Sequence, residues 1–305
     1  MDMPGRTYSI GNGYRYSING QEKTPEIAPN TTTAEFWQYD ARIVRRWNID
    51  PKPNISISPY NCFAGNPIFL ADVRGDTVDV SHLRANNSKA NDALISDLQN
   101  KTGLTISVNE KTGIASYLKE NGAAKLARDG NGNIVGSKAA RKELIKMLDS
   151  KTMITVKDDP TGPTRVEQGQ DKKGRFTYTN TILINSVEIE SSINETSKDL
   201  HSTTYGYALT FFHERGHTLY GGGHDDSNEP WLNAGDNEIL PNRIRKQLSI
   251  NGTNYGQRLV YTQLGVNGVD YLPFTQEAWD SLKRNEVPSG GYIIIIPLGE
   301  LLKKK

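Results

Sequence analysis

Residues 204–226 read TYGYALTFFHERGHTLYGGGHDD, and within them His213-Glu214-Arg215-Gly216-His217 forms an H-E-x-x-H motif. Two imidazoles four residues apart share one face of an α-helix, one turn apart, where both can grip one Zn2+. Glu214 lies beside them and is placed to reach a metal-bound water. The metal lowers the pKa of that water, and the carboxylate takes its proton as general base. This is the minimal apparatus for hydrolysing a peptide bond. The chain has five histidines, so a chance H-E-x-x-H is expected in roughly one such chain in a few hundred. The competing, plainer reading is an exposed helix carrying two surface histidines.

The elements that must position these groups are written nearby. Tyr207, Ala208, Leu209, Phe211 and Phe212 give the helix an apolar side. Leu219 and Tyr220 are expected to continue it, and Gly221-Gly222-Gly223 to stop it through a left-handed conformation. Gly216 leaves room for another element to approach the metal face. Arg215, between the ligands, must point outward or find a partner.

A catalytic zinc takes three protein ligands and keeps one position open. His224, seven residues after His217 across the triple glycine, is the first candidate for the third. Asp225 or another carboxylate, and Glu238 on a following helix, are the alternatives. The run resembles the metzincin pattern H-E-x-x-H-x-x-G-x-x-H with one residue inserted. Glu238 would instead correspond to the gluzincin arrangement.

At 305 residues the length suggests two domains, or one with a long appendage. The net charge is +1, so nothing points to nucleic acid or to a charged membrane surface. Cys62 is the single cysteine, which excludes internal disulfides and a cysteine zinc site. No apolar run is long enough to span a bilayer, and the N-terminus has no charged-then-apolar signal.

The first quarter is rich in turn residues. Tyr14 to Gly20 reads as a strand ending in an Asn-Gly turn. YRYSINGQEK (14–23), YDARIVRRWNIDP (39–51), SPY (58–60), NPI (66–68) and DVRGD (72–76) together resemble the last segment of a rearrangement-hotspot (RHS) repeat-associated core. In that family the core ends in front of a polymorphic C-terminal toxin. The resemblance implies an RHS segment at 1–76 and a zincin-like metallopeptidase toxin at 77–305. It further implies a bacterial protein exported or delivered to a target cell without a conventional signal peptide. A protein substrate, a cognate immunity protein and a secretion-system carrier are the partners it implies.

Downstream, Ser88 to Asn100 has helical spacing with Ser88 as the expected cap. Leu104 to Val108 and Ile114 to Leu118 read as a hairpin. The run 129–133, DGNGN, resembles a calcium loop but lacks the later bidentate glutamate, so a tight turn is expected. Ser137 is expected to cap a helix over 138–148. Met153 to Val156 reads as a strand, 158–174 as a polar loop, Ile182 to Ile184 as part of a second strand, and 185–202 as a polar lead into the motif helix. In zincin folds a strand edges the cleft and pairs with extended substrate, and one of these strands is expected to do so. His82 and His201 read as exposed or capping residues.

After the motif, Asp236 to Ile250 reads as a helix that places Glu238, Asn242, Arg245 and Ser249 on one face. Such a polar stripe either meets solvent or faces an active site. N-R-I-R (242–245) and Q-R-L-V-Y (257–261) resemble the N-x-x-R and R-x-x-Y tail of RHS-linked metallopeptidase toxins. That likeness implies Arg245 or Arg258 as ordering residues and Tyr261 or Tyr255 as a donor to an oxyanion. Thr275 to Asn285 reads as a helix, and 290–298 as a strand followed by a lysine tail.

The expected fold class is therefore α+β, with a zincin-like domain built on the motif helix. The expected activity is a Zn2+-dependent endopeptidase: metal on His213, His217 and His224, with Glu214 catalytic. The alternative is a non-enzymatic RHS-derived surface or carrier module with a structural or degenerate metal site.

Overall fold

The computed structural model describes residues 22–23, 31–34, 37–40, 45–46, 78–150, 152–170, 173–223, 226, 228–250 and 252–301. The strand expected at 14–20, Cys62, His224, Asp225 and the lysine tail lie outside the described residues. The chain divides into two compact units, Met1–Gly75 and Asp76–Lys305. The first contains an antiparallel sheet of β1 (Glu22–Lys23), β2 (Thr31–Ala34), β3 (Trp37–Asp40) and β4 (Arg45–Arg46) in that order.

The second unit is mixed α and β. It opens with β5 (Val78–Asp79), α1 (Ser81–Asn86) and α2 (Ser88–Thr102), followed by β6 (Ile106–Val108) and β7 (Ile114–Tyr117). A short hairpin of β8 (Lys119–Glu120) and β9 (Ala123–Ala124) leads to α3 (Lys138–Leu148). The cap of α2 is Asn87 rather than Ser88, its Oδ1 accepting from the Ala90 amide at 3.0 Å. Ser137 caps α3 as expected, accepting from Ala140. Residues 129–133 form a tight turn in which Asp129 accepts from the Asn131 and Asn133 amides.

Then come β10 (Ile154–Asp158), β11 (Arg165–Gln170), β12 (Phe176–Ile184) and α4 (Ser186–Asn194). The six-stranded sheet runs β11-β12-β10-β5-β7-β6. β10 is parallel to both β12 and β5, whereas β11 is an antiparallel edge with an irregularity between Val166 and Gln168. Neither β11 nor α4 matches its sequence expectation. The stretch 165–170 was expected as loop because an edge strand with one apolar residue, Val166, lacks the alternation of a half-buried strand. The α4 stretch was expected as a polar lead, yet Asn185 caps it through the Val187 and Glu188 amides, and Ile189 buries one face.

The motif helix α5 (Tyr207–His217) packs on this sheet, its residues Tyr207 to Phe212 in the main core beside Ile182, Ile184 and Leu94. Gly206 precedes it without a side-chain cap, and Asp97 of α2 supplies one instead, accepting from the Ala208 amide at 2.8 Å. An anion there satisfies an orphan N–H and complements the helix dipole. The helix ends at His217, earlier than the triple glycine. Thr218 turns extended, and the Leu219 amide donates to Thr179 of β12, which draws the chain off the helix axis. Leu219 and Tyr220 therefore do not continue it.

The rest comprises α6 (Ile239–Leu248), β13 (Leu264–Val266), β14 (Val269–Pro273), α7 (Gln276–Lys283), β15 (Tyr292–Ile295) and α8 (Leu298–Leu301). Strands β13, β14 and β15 form a separate antiparallel sheet. Among the described residues no helix is long and apolar enough to cross a membrane.

Candidate metal centre

Helix geometry delivers what the spacing promised. His213 and His217 are both buried on one face of α5, their Nε2 atoms 3.3 Å apart. A third group joins them from the loop beyond the glycines. Asp226 Oδ1 stands 3.3 Å from His217 Nε2 and 3.6 Å from His213 Nε2. A tetrahedral Zn2+ with bonds of about 2.0–2.1 Å holds its ligand atoms roughly 3.3 Å apart. The triangle formed by these three atoms has that size. Asp226 Oδ1 is buried, and among the described residues no aligned donor satisfies it beyond the His217 ring nitrogen at 3.3 Å. A buried carboxylate oxygen without an aligned proton donor is costly unless a cation meets it. The donor set, two imidazoles and a carboxylate, suits Zn2+. The three residues can hold a metal ion.

His213 and Asp226 are held from behind. Glu238 Oε1 lies 3.1 Å from His213 Nδ1, on the far side of the ring from Nε2, within hydrogen-bonding distance but off the N–H direction. Glu238 is thus placed to orient His213 rather than to bind the metal, the usual carboxylate–histidine arrangement. Its own position is fixed by two arginines: Arg245 Nη1 at 2.6 Å from Oε2 and Arg258 Nη1 at 3.1 Å from Oε1. Burial alone would raise its carboxyl pKa. The charge of Arg245, the contact with His213 and the charge of Arg258 outweigh that and hold it well below the carboxylate range.

Asn242 ties the two arginines together, its Oδ1 accepting from Arg245 Nη1 and from the Arg258 amide. Glu238, Asn242 and Arg245 of the expected polar stripe thus face the site, whereas Ser249 does not join them: its hydroxyl donates to the Arg245 carbonyl and accepts from the Tyr255 amide. Arg258 also donates to the Tyr261 carbonyl and stacks on the Tyr261 ring. Tyr261 in turn donates its hydroxyl to Asp226 Oδ2 at 2.7 Å. Burial also works to raise the Asp226 carboxyl, but His217 and Tyr261 outweigh it and lower it. Tyr255 has a different place: its hydroxyl accepts from Lys101, and its ring stacks on His201. His201 also caps the turn at 202–205 by accepting from Thr203. Arg215 finds its partner in Glu143 of α3.

His217 is approached by Asn237, whose amide nitrogen is 3.1 Å from Nδ1 and 3.2 Å from Nε2 and so packs against the ring edge that carries both. That approach needs Gly216, because a Cβ there would overlap the Asn237 side chain. Gly216→Ala is expected to cost about 1–3 kcal/mol through overpacking. It should also weaken zinc binding about 10- to 100-fold by displacing a group that packs against a ligand. Thermal unfolding and a zinc titration would measure the two effects.

Glu214 lines a cleft of about 690 Å³ with His213, His217, Asp226 and Tyr261. Burial pushes its carboxyl up to about 7, against the lowering charges of His213 and His217. The edge strand β11 forms part of one wall through Arg165, Val166 and Gln168, and Tyr178 of β12 lies beside His217. The sequence points to His224 as third ligand, with Glu238, Asp225 or another carboxylate as alternatives, and does not single out Asp226; among the described residues it is Asp226 that joins the two histidines, while His224 and Asp225 lie outside them. The only sequence signal for Asp226 is its place in the D-D pair after the glycines. No protein-family model, curated protein or solved structure matches the chain, so the functional argument rests on this geometry.

Proposed function

We propose that the protein is a zinc-dependent endopeptidase of zincin type, with the metal held by His213, His217 and Asp226. The observation that carries this reading is the convergence of those three ligand atoms at zinc spacing beside a buried carboxylate in an open cleft. Bound Zn2+ would supply a Lewis acid and lower the pKa of a water in its open position. Glu214 takes the proton of the attacking water and passes it to the leaving amine. Glu238 keeps the His213 ring in place, Asn237 packs against the His217 ring, and Tyr261 keeps Asp226 in place. Strand β11, with one edge free of strand partners among the described residues, offers backbone groups to an extended substrate. Tyr255 does not line the cleft, and Tyr261 spends its one O–H on Asp226, so Tyr178 is the cleft tyrosine left as a candidate for an oxyanion donor.

The RHS resemblance of residues 14–76 supports the role of a C-terminal toxin, delivered to a target cell and neutralised by an immunity protein. The test of the core reading is zinc analysis of the purified chain with a digest of an unfolded protein as substrate. One zinc per chain with cleavage supports it. Zinc without any cleavage would favour a structural site in a carrier module, and a chain that takes up no zinc removes the reading. Asp226→Ala is expected to weaken zinc binding at least about 100-fold. If His224→Ala has that effect and Asp226→Ala does not, the third ligand is His224.

A further inference from the structure

A second cavity, of about 650 Å³, lies on the other side of Tyr261, which lines both it and the metal cleft. The two are also joined through consecutive residues, Pro163 lining the cavity and Thr164 the cleft. Its walls are mixed: Leu272, Ile295, Leu298 and Pro230 are among the apolar residues, and Ser191, Ser192, Thr262 and Gln263 are polar. Two charged side chains line it, Arg258 and Glu188. Arg258 is already committed to Glu238 and the Tyr261 carbonyl. Glu188 is not matched in this way. It accepts from the Thr164 amide at 2.7 Å, and among the described residues no lysine or arginine pairs with it. Its place in the first turn of α4 accounts for an acidic residue there. It does not account for a cavity with a partly apolar wall at that residue.

A partly buried carboxylate with no cation paired to it among the described residues, in a cavity with a partly apolar wall, complements one kind of side chain. Lysine and arginine carry an apolar stem under a cationic head. We propose that this cavity receives a lysine or arginine side chain of the substrate, beside the scissile bond, with Glu188 as the specificity-determining residue. Burial raises the Glu188 carboxyl pKa, and the hydrogen bonds from Thr164 partly offset it. An incoming cation would offset it further.

The inference rests on the endopeptidase reading, and two measurements on the zinc-loaded full chain keep the two apart. The first is binding of N-acetyl-arginine methylamide, with N-acetyl-norleucine methylamide as the neutral control. The arginine probe is expected to bind wild type in preference to the control, and Glu188→Gln about 10- to 100-fold more weakly. Glutamine keeps an acceptor for the Thr164 amide, so the fold is spared. Equal binding of both probes, or equal binding to both proteins, overturns the proposal.

The second is the set of bonds cut in an unfolded protein mixture, read by mass spectrometry. Lysine or arginine should be enriched at one position flanking the bonds cut by wild type, and that enrichment should vanish in Glu188→Gln at unchanged zinc content. Cleavage without such enrichment overturns the cavity proposal alone. If wild type cuts nothing, the endopeptidase reading falls, and the probe measurement still decides the cavity.

Discussion

Replacement of Glu214 by glutamine is expected to lower peptide cleavage by about 10²- to 10⁴-fold while one zinc per chain stays bound. The prediction follows from the division of labour in the cleft. His213, His217 and Asp226 present the ligand atoms, and Glu214 is not among them. Glutamine has nearly the same volume and stays on the same helical face, so α5 and its ligands keep their places. What it cannot do is accept and return a proton. Burial pushes the Glu214 carboxyl up to about 7 in the metal-free chain, and bound Zn2+ would lower it, keeping the carboxylate ready to take a proton from water at neutral pH. Asp226→Ala should give the opposite signature, with zinc lost first and activity lost as a consequence. Zinc content and cleavage rate, measured on both variants, separate the roles. Activity retained in Glu214→Gln would remove the mechanism, and zinc lost with it would make Glu214 a holding group instead.

The motif helix was legible because its information is local. Two histidines at i and i+4, a glutamate beside the first and an apolar run before them fix a helix and a metal face together. The stripe Glu238, Asn242, Arg245 was legible for the same reason, since spacings of four and three mark one face whatever lies opposite. What lay opposite was not legible. The pairing of Glu238 with His213 joins residues 25 apart, so the sequence offers this glutamate as a ligand or a stripe residue and not as the support of His213. Asp226 was harder still. It sits in a loop without periodicity, and its place is set by a hydroxyl 35 residues away on Tyr261. Strand β11 and helix α4 escaped because their apolar content is low for different reasons. The first is an edge beside the cleft, and the second buries little beyond Ile189 and two serines. The end of α5 was misplaced because a hydrogen bond from Leu219 to β12, a tertiary contact, stops the helix before its glycines can.

Arg245→Met should destabilise the fold by about 3–5 kcal/mol, the cost of leaving a buried carboxylate without its cation. Arg245 is fully buried, and Glu238 is 1% exposed. The guanidinium donates to Glu238, to Asn242 and to the Thr204 carbonyl, and lies over the Phe274 ring. Methionine fills much of the space and keeps the contact with Phe274, so the loss is electrostatic rather than a cavity. Arg258 remains beside Glu238, but it touches the other oxygen and cannot serve both. The double variant Glu238→Gln/Arg245→Met removes the stranded charge together with its partner, and should recover more than half of the lost stability. Denaturant unfolding of the zinc-stripped chain isolates this term from metal binding. In the zinc-loaded chain the double variant should still bind zinc about 10- to 100-fold more weakly than wild type, because His213 has lost the carboxylate behind it. A single variant as stable as wild type would show that Arg245 does not balance Glu238. Full recovery of both stability and zinc affinity in the double variant would show that Glu238 does not hold His213.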